Sequence, residues 1–212
     1  MTRKLFILGI GLILLVAAAL TILIFLPKGK TISRNENTLE HFYQLENFSN
    51  LMTVFNADSG TVRIIAILSP SDPMSERGFH ILQDVYNEMD SDKVMLYIIW
   101  SPVFNQDTPE MAEEKSIKFV GKRVRYFWDP DRIVSVMWKE VLGFDQPIWD
   151  IYLVYEPSVK WKLDPAPPQF WMRQLSGLVD APILNKGQLL ARVKEMVPEA
   201  AQFADTTRVQ LR

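Results

Sequence analysis

Cysteine is absent from the 212 residues of this sequence. The chain therefore has no disulfide bond, no thiolate nucleophile and no cysteine metal ligand, and its own core must hold the fold together. Histidine is nearly absent as well, with two residues, and the nine glycines are dispersed without forming a phosphate-binding loop. Because transition metals are usually bound through Cys and His, we expect neither a metal site nor a bound cofactor.

The signals of an enzyme are also missing. No histidine base is apparent for Ser69, Ser71 or Ser75, and the sequence contains no Gly-x-Ser-x-Gly segment. We therefore expect the chain not to be an enzyme.

A basic surface is missing too, since the formal net charge is −2. Four of the 23 basic residues precede position 31, where no acidic residue occurs, so the remainder holds 19 basic and 25 acidic residues and has a net charge of −6. Nucleic-acid affinity depends largely on neutralising phosphates with Lys and Arg. We therefore expect no binding to nucleic acid.

One long hydrophobic run is present, at residues 5–26, and its only polar side chain is Thr21. A helix of this length spans roughly 33 Å, enough to cross a hydrocarbon core of about 30 Å. A cleaved signal peptide has a shorter apolar region, of about 7–15 residues. The run predicts an uncleaved transmembrane anchor in the lipid bilayer, but the basic residues flanking it nearly cancel and leave its orientation open.

The remainder of the sequence is organised as one domain with alternating strands and helices. The predicted parts are a flank at 1–4, the anchor at 5–26, a linker at 27–38, a domain with an aromatic, Pro-rich extension at 39–200, and a tail at 201–212. The predicted strands are 62–68, 93–100, 123–128 and 149–155, and the predicted helices are 39–55, 74–89, 109–119, 131–142 and 187–196. This alternation favours a partly parallel α/β sheet covered by helices.

A strand–turn–helix junction at residues 69–75 is the most informative motif. Asp72 is a preferred helix N-cap, and Pro73 is favoured at the first helical position. Asp129 and Pro130 repeat this pattern after the third strand, where we again expect a cap. Asp72, Asp129 and Asp150 all lie near strand ends, but Asp150 begins its strand, so the three need not converge.

Aromatic residues are the other distinctive feature. Trp161, Phe170 and Trp171 flank the Pro-rich connector. Trp is frequent both in cores and in interface hot spots. The pattern leaves open whether these side chains form a lid over the sheet or an interface.

Several motifs together resemble a bacterial thioredoxin-like family whose members are membrane-anchored. The matching residues are 69–71, Trp100, 128–131, 149–153 and 170–175. The resemblance implies a thioredoxin-like mixed sheet flanked by helices, in which Asp72 and Ser75 stand where the family has its two redox cysteines. Arg173 stands where the family often has histidine, and Pro147 is the candidate for the family's cis-proline.

The resemblance implies a function without thiol chemistry. We expect a non-redox accessory or assembly subunit of a membrane protein complex, with its domain on the extracytoplasmic side of a bacterial inner membrane, as is usual for anchored thioredoxin-like proteins. A chaperone-like peptide-binding module is the alternative, and a cysteine-independent enzyme using Asp72 is the least favoured. The candidate interaction face consists of Ser69, Pro70, Ser71, Pro73, Pro147, Trp161, Phe170 and Trp171.

Overall fold

The computed structural model describes residues 42–89, 91–175 and 181–197. The predicted anchor at 5–26, the linker at 27–38 and the tail at 201–212 lie outside these residues. None of the helices in the described ranges is long and apolar enough to cross a membrane.

The described residues form six strands and five helices, in alternation for most of the chain. The strands are β1 (Phe42–Gln44), β2 (Val62–Leu68), β3 (Val94–Trp100), β4 (Val124–Trp128), β5 (Ile151–Tyr155) and β6 (Phe170–Arg173). The helices are α1 (Phe48–Ala57), α2 (Pro73–Glu88), α3 (Pro109–Ser116), α4 (Ile133–Leu142) and α5 (Lys186–Met196).

The strands form one mixed sheet in the order β1-β4-β3-β2-β5-β6. The first four strands in this order are parallel, whereas β5 is antiparallel to β2 and β6 is antiparallel to β5. Leu68, Trp100 and Trp128 lie in register at the carboxyl ends of β2, β3 and β4. Because Ile151 at the start of β5 pairs with Ile67, the segment preceding β5 lies at this same edge of the sheet.

The sheet has a hydrophobic core on each side. On one side, β2 and β3 side chains such as Leu68 and Trp100 pack with Phe79 of α2 and Leu189 of α5. On the other side, alternate side chains of the same strands pack with Phe55 of α1 and Trp138 of α4. All residues of β2 and β3 are buried, as expected for central strands covered on both faces.

Two elements differ from the sequence prediction. The predicted helix at 39–55 is wrong at its start, because Phe42–Gln44 is an edge strand paired with β4, and the helix begins only at Phe48. Asn47 caps that helix, with its side chain accepting a bond from the amide of Asn50 at 3.2 Å. The spacing of Phe42, Leu45 and Phe48 fits a helix, but Phe42 is buried from the strand, Leu45 is buried from the turn that follows it, and the partly buried Phe48 begins the helix. The strand β6 was not predicted as a strand.

The cap after β4 also differs in position from the prediction. The helix α4 begins at Ile133 rather than at Pro130, and Arg132 takes a left-handed backbone conformation with φ 54°. The carboxylate of Asp129 reaches across this turn and accepts bonds from the amides of Ile133 at 2.9 Å and Val134 at 2.8 Å. Asp129 therefore satisfies the first amides of the helix without being its adjacent cap.

Candidate functional site

Asp72 caps α2, as predicted. Its backbone is extended, and its Oδ1 accepts a bond from the amide of Met74 at 2.8 Å. Pro73 occupies the first turn, where no intrahelical amide donor is needed. The other carboxylate oxygen, Oδ2, accepts a bond from the indole Nε1 of Trp149 at 3.3 Å. Both oxygens are thus engaged, which leaves Asp72 a structural carboxylate in this arrangement.

Ser75 is fully buried and joins three parts of the sheet edge. Its hydroxyl oxygen accepts a bond from the amide of Ser69 at 2.9 Å, and its hydroxyl group donates a short bond to Asp150 Oδ1. The residue that follows β2, the first turn of α2 and the residue that precedes β5 are therefore held together. A hydroxyl in this position has no exposure through which it could attack a substrate.

Asp150 is the buried carboxyl group of this site, and the sequence did not place it there. Its amide donates to Ile67 O at 2.7 Å and its carbonyl accepts from Gln174 N at 2.8 Å, so β2 and the end of β6 fix its backbone. Its φ of 53° is left-handed, a conformation that favours glycine over other residues. Asp150 lies beside the first turn of α2, where it accepts a bond from Ser75, the residue three positions after Asp72.

Burial raises the pKa of Asp150 to about 7. The negative charge of Asp72 acts in the same direction as burial, whereas the Ser75 hydrogen bond and the charge of Arg77 oppose the shift. The second carboxyl oxygen, Oδ2, has no hydrogen-bond partner among the described residues. A neutral carboxyl group suits this environment better than a carboxylate, because an unpaired buried charge is costly.

Asp107 fixes the loop beside this junction and was missed by the sequence analysis. Its carboxylate accepts bonds from Ser69 Oγ at 2.9 Å and from the amide of Ser71 at 3.0 Å. It also accepts bonds from the amides of Val103 and Phe104, each at 2.8 Å. Asp107 thus joins the loop after β3 to the turn after β2. Its position just before the helix start at Thr108-Pro109 was the one feature of the sequence that could have pointed to this role.

An aromatic surface lies next to Asp72, and we call it the Trp149 face. It consists of Ser71, Asp72, Pro73, Phe104 and Trp149. The rings of Phe104 and Trp149 meet edge to face with centroids 6.4 Å apart, and Phe104 is 40% exposed. Pro73 is exposed, and Ser71, Asp72 and Trp149 are partly buried. A partner protein could reach these side chains without disturbing the buried bonds beneath them.

The other predicted face residues lie elsewhere in the fold. Trp161 is buried and stacks on Phe55 with ring centroids 3.6 Å apart, so its predicted role in an interface is wrong. Phe170 and Trp171 are successive residues of β6 and pack with opposite sides of the sheet. These three residues therefore do not form a common face with the motif.

The remaining residues of the predicted face are Ser69, Pro70 and Pro147. Ser69 and Pro70 are buried, so their part in the site is structural. Pro147 is partly buried. No peptide bond within the described residues is cis, so the prediction of a cis-proline at Pro147 is wrong.

No group of three His, Cys, Asp or Glu side chains within the described residues is placed to share a metal ion. Asp72 instead caps a helix, Asp107 accepts bonds from backbone amides and a serine hydroxyl, and Asp150 accepts a bond from Ser75.

No family profile and no curated protein matches this chain. It is similar to several solved structures. A putative thioredoxin from Neisseria meningitidis is 16% identical over 69% of this chain and 81% of that chain, with a TM-score of 0.43. A thiol:disulfide interchange protein of the thioredoxin family from Chlorobium tepidum is 13% identical over 67% and 83%, with a TM-score of 0.43. A secreted disulfide oxidoreductase from Mycobacterium tuberculosis is 12% identical over 66% and 84%, with a TM-score of 0.42.

Proposed function

We propose that this chain is a non-redox, thioredoxin-like protein that serves as an accessory or assembly subunit of a membrane protein complex. Residues 5–26 would anchor it in a bacterial inner membrane, with the domain on the extracytoplasmic side. The observation that carries the proposal is the Ser69–Ser75–Asp150 network. At the junction where a dithiol would act, Ser75 is buried, and its hydroxyl group is bonded to the amide of Ser69 and to the carboxyl group of Asp150.

The chemistry of the junction supports binding over turnover. Thiol–disulfide exchange requires a thiolate, and the sequence has no cysteine to provide one. Asp72 and Asp107 accept bonds from amides and an indole, so neither carboxylate is free to serve as a base. The hydrogen bonds of the Ser69–Ser75–Asp150 network hold the surrounding loops in place. A rigid surface loses little conformational entropy when a partner binds.

The Trp149 face is the proposed contact surface for the partner. Exposed aromatic side chains on a rigid support are frequent interface anchors. Phe104 is exposed and leans on Trp149, and Asp107 fixes the backbone of its loop. Trp149 is in turn held by Asp72.

The test is a capture experiment with the full chain. Gentle detergent extraction of native membranes, capture through a C-terminal tag and mass spectrometry should give a fixed, stoichiometric set of membrane proteins. Phe104→Ser should reduce that set by about tenfold or more, as expected for a hot-spot aromatic. Leu163→Ser is the matched control, because Leu163 is 88% exposed and lies outside this face. It should leave the captured set unchanged.

The outcomes separate this proposal from its alternative. A shifting mixture of clients in place of fixed partners would contradict an accessory subunit and favour a chaperone-like binder. Equal capture by the Phe104→Ser and wild-type chains would show that the Trp149 face is not the contact surface.

A further inference from the structure

The turn between α3 and β4, residues 117–123, combines exposed aliphatic side chains with basic charge. Ile117 is 47% exposed and Val120 is 71% exposed. Lys118, Lys122 and Arg123 lie in the same seven residues, and no acidic residue does. This local excess of positive charge stands against a net charge of −2 for the whole chain.

The turn is rigidly attached to the domain. Phe119 is buried between its two exposed neighbours, and its ring contacts Tyr86 and Phe79 with centroids at 5.1 Å and 5.8 Å. The hydroxyl of Tyr126 donates a short bond to Phe119 O. A Cβ at Gly121 would lie 2.5 Å from the Tyr86 hydroxyl, so the chain also packs closely there. The fold thus holds Ile117 and Val120 outside the core.

The lysines of the turn are available to a ligand. Glu76, the acidic residue of the first turn of α2, is already engaged by Lys115 at 3.1 Å. Within the described residues, no ion pair involves Lys118 or Lys122, and both side chains are exposed. Arg123 places its guanidinium over the Tyr86 ring, 4.3 Å from the centroid, at the base of the turn.

We propose that the 117–123 turn docks on an anionic lipid surface, with Val120 and Ile117 entering the headgroup region and Lys118 and Lys122 contacting lipid phosphates. Apolar side chains next to lysines are the combination that binds an anionic bilayer, through buried apolar area and charge attraction together. The exposed Leu163 lacks this context, because it lies between Lys162 and Asp164, whose charges oppose each other.

The absence of cysteine allows a direct test on the full chain. Val120→Cys gives a single thiol, which is labelled with an environment-sensitive fluorophore such as NBD. The labelled chain is combined with vesicles of equal parts phosphatidylcholine and phosphatidylglycerol, or of phosphatidylcholine alone. With phosphatidylglycerol, the NBD emission should shift to the blue and be quenched by spin-labelled acyl chains. High salt should reverse much of the shift.

Two controls make the test specific. The same label at Val136→Cys reports from an exposed residue of α4, which packs on the opposite side of the sheet from Phe119, and it should not respond. Lys118→Gln with Lys122→Gln should lower the equilibrium constant for insertion of the label by about fivefold per lysine. Lys160→Gln with Lys194→Gln removes the same charge from other exposed positions and should leave that constant unchanged.

Three results would overturn the proposal: a label at 120 that stays in water with phosphatidylglycerol, an equal response at 136, or an equal loss from the control lysines. Shielding of position 120 only in native membranes, and not in protein-free vesicles, would also overturn it in favour of a protein partner. The vesicle measurement contains no partner protein, so its outcome is independent of the capture experiment.

Discussion

At Asp150, burial and hydrogen bonding act on one carboxyl group in opposite directions. The bond from Ser75 favours the carboxylate, but removal from water favours the neutral acid and is the larger effect, which places the pKa at about 7. Tyr152 lies two residues further along the chain, and burial together with the charges of Asp150 and Asp72 raises the pKa of its hydroxyl well above the usual range. The protein therefore holds a buried carboxyl group with a raised pKa beneath the Trp149 face.

The first prediction follows from this pKa. The pKa of an Asp side chain in an unfolded chain is about 4, so the folded state binds the Asp150 proton more tightly than the unfolded state does. The stabilisation is complete below about pH 4 and is lost as the pH rises through about 7, by about 4 kcal/mol in total. Asp150→Asn should remove this dependence, so that urea unfolding shows the variant gaining stability relative to wild type as the pH increases.

The control for this prediction is Asp145→Asn, at an exposed position on the loop before β5. It changes the charge by the same amount and should leave the pH dependence as in wild type. Parallel stability curves for wild type and Asp150→Asn between about pH 4 and about pH 8 would contradict the assignment.

Arg63 shows how one side chain can satisfy several elements. It is fully buried, and its guanidinium donates to the carbonyls of Phe55 at 3.2 Å, Val159 at 2.9 Å and Glu156. The charge also lies over the Phe55 ring, 4.1 Å from the centroid. Burial lowers the pKa of Arg63, and these carbonyls replace the water it has lost. The arginine within the apolar pattern of β2 is therefore structural.

Among the helices and strands, α2 packs closely against the Tyr152 side chain of β5 at Gly78. A Cβ built there would lie 1.6 Å from the hydroxyl of Tyr152 and 2.5 Å from Gln174 Oε1. Those two side chains are hydrogen-bonded to each other, so neither is free to move aside. Only a residue without a side chain lets the helix lie at this distance from the strand.

The second prediction concerns this contact. Gly78→Ala should lower the free energy of unfolding by about 1–3 kcal/mol, because the overpacked helix must shift away from β5. Gly187→Ala, in the first turn of α5, is the matched control, since its nearest neighbour would be 3.4 Å away. It should be neutral or slightly stabilising in the same urea titration. Tyr152→Phe should recover part of the loss in Gly78→Ala, and a Gly78→Ala chain as stable as wild type would refute the contact.

The elements also show where sequence patterns succeed. The strand β2 was predicted with its observed bounds, because a seven-residue segment that is apolar except at Arg63 and lies between a turn and a helix cap has few other interpretations. The strand β1 was not predicted, since three residues are too few to establish a period of two. Strand β6 was not predicted either. Its aromatic residues Phe170 and Trp171 are adjacent in sequence and pack on different sides of the sheet, so the segment shows no alternation of apolar and polar residues.

For the molecule as a whole, the mixed sheet could be predicted and the site only in part. The cap at Asp72 is a local signal and was confirmed. Asp107 and Asp150 contact the junction from 35 or more positions away in sequence, through bonds to Ser69, Ser71 and Ser75. Such contacts depend on the strand order, which brings the end of β2 and the start of β5 to one edge. No local pattern contains that information.

The strand order has a consequence for synthesis on the ribosome. The first strand of the sheet pairs with β4, and the central β2 pairs on one side with β5, so both wait for partners that are made much later. Until residue 155 has emerged, one edge of the central strand β2 has no partner. We expect arrested nascent chains to resist protease only once β5 and β6 are outside the exit tunnel. A resistant fragment from chains arrested before Ile151 would contradict this order of events.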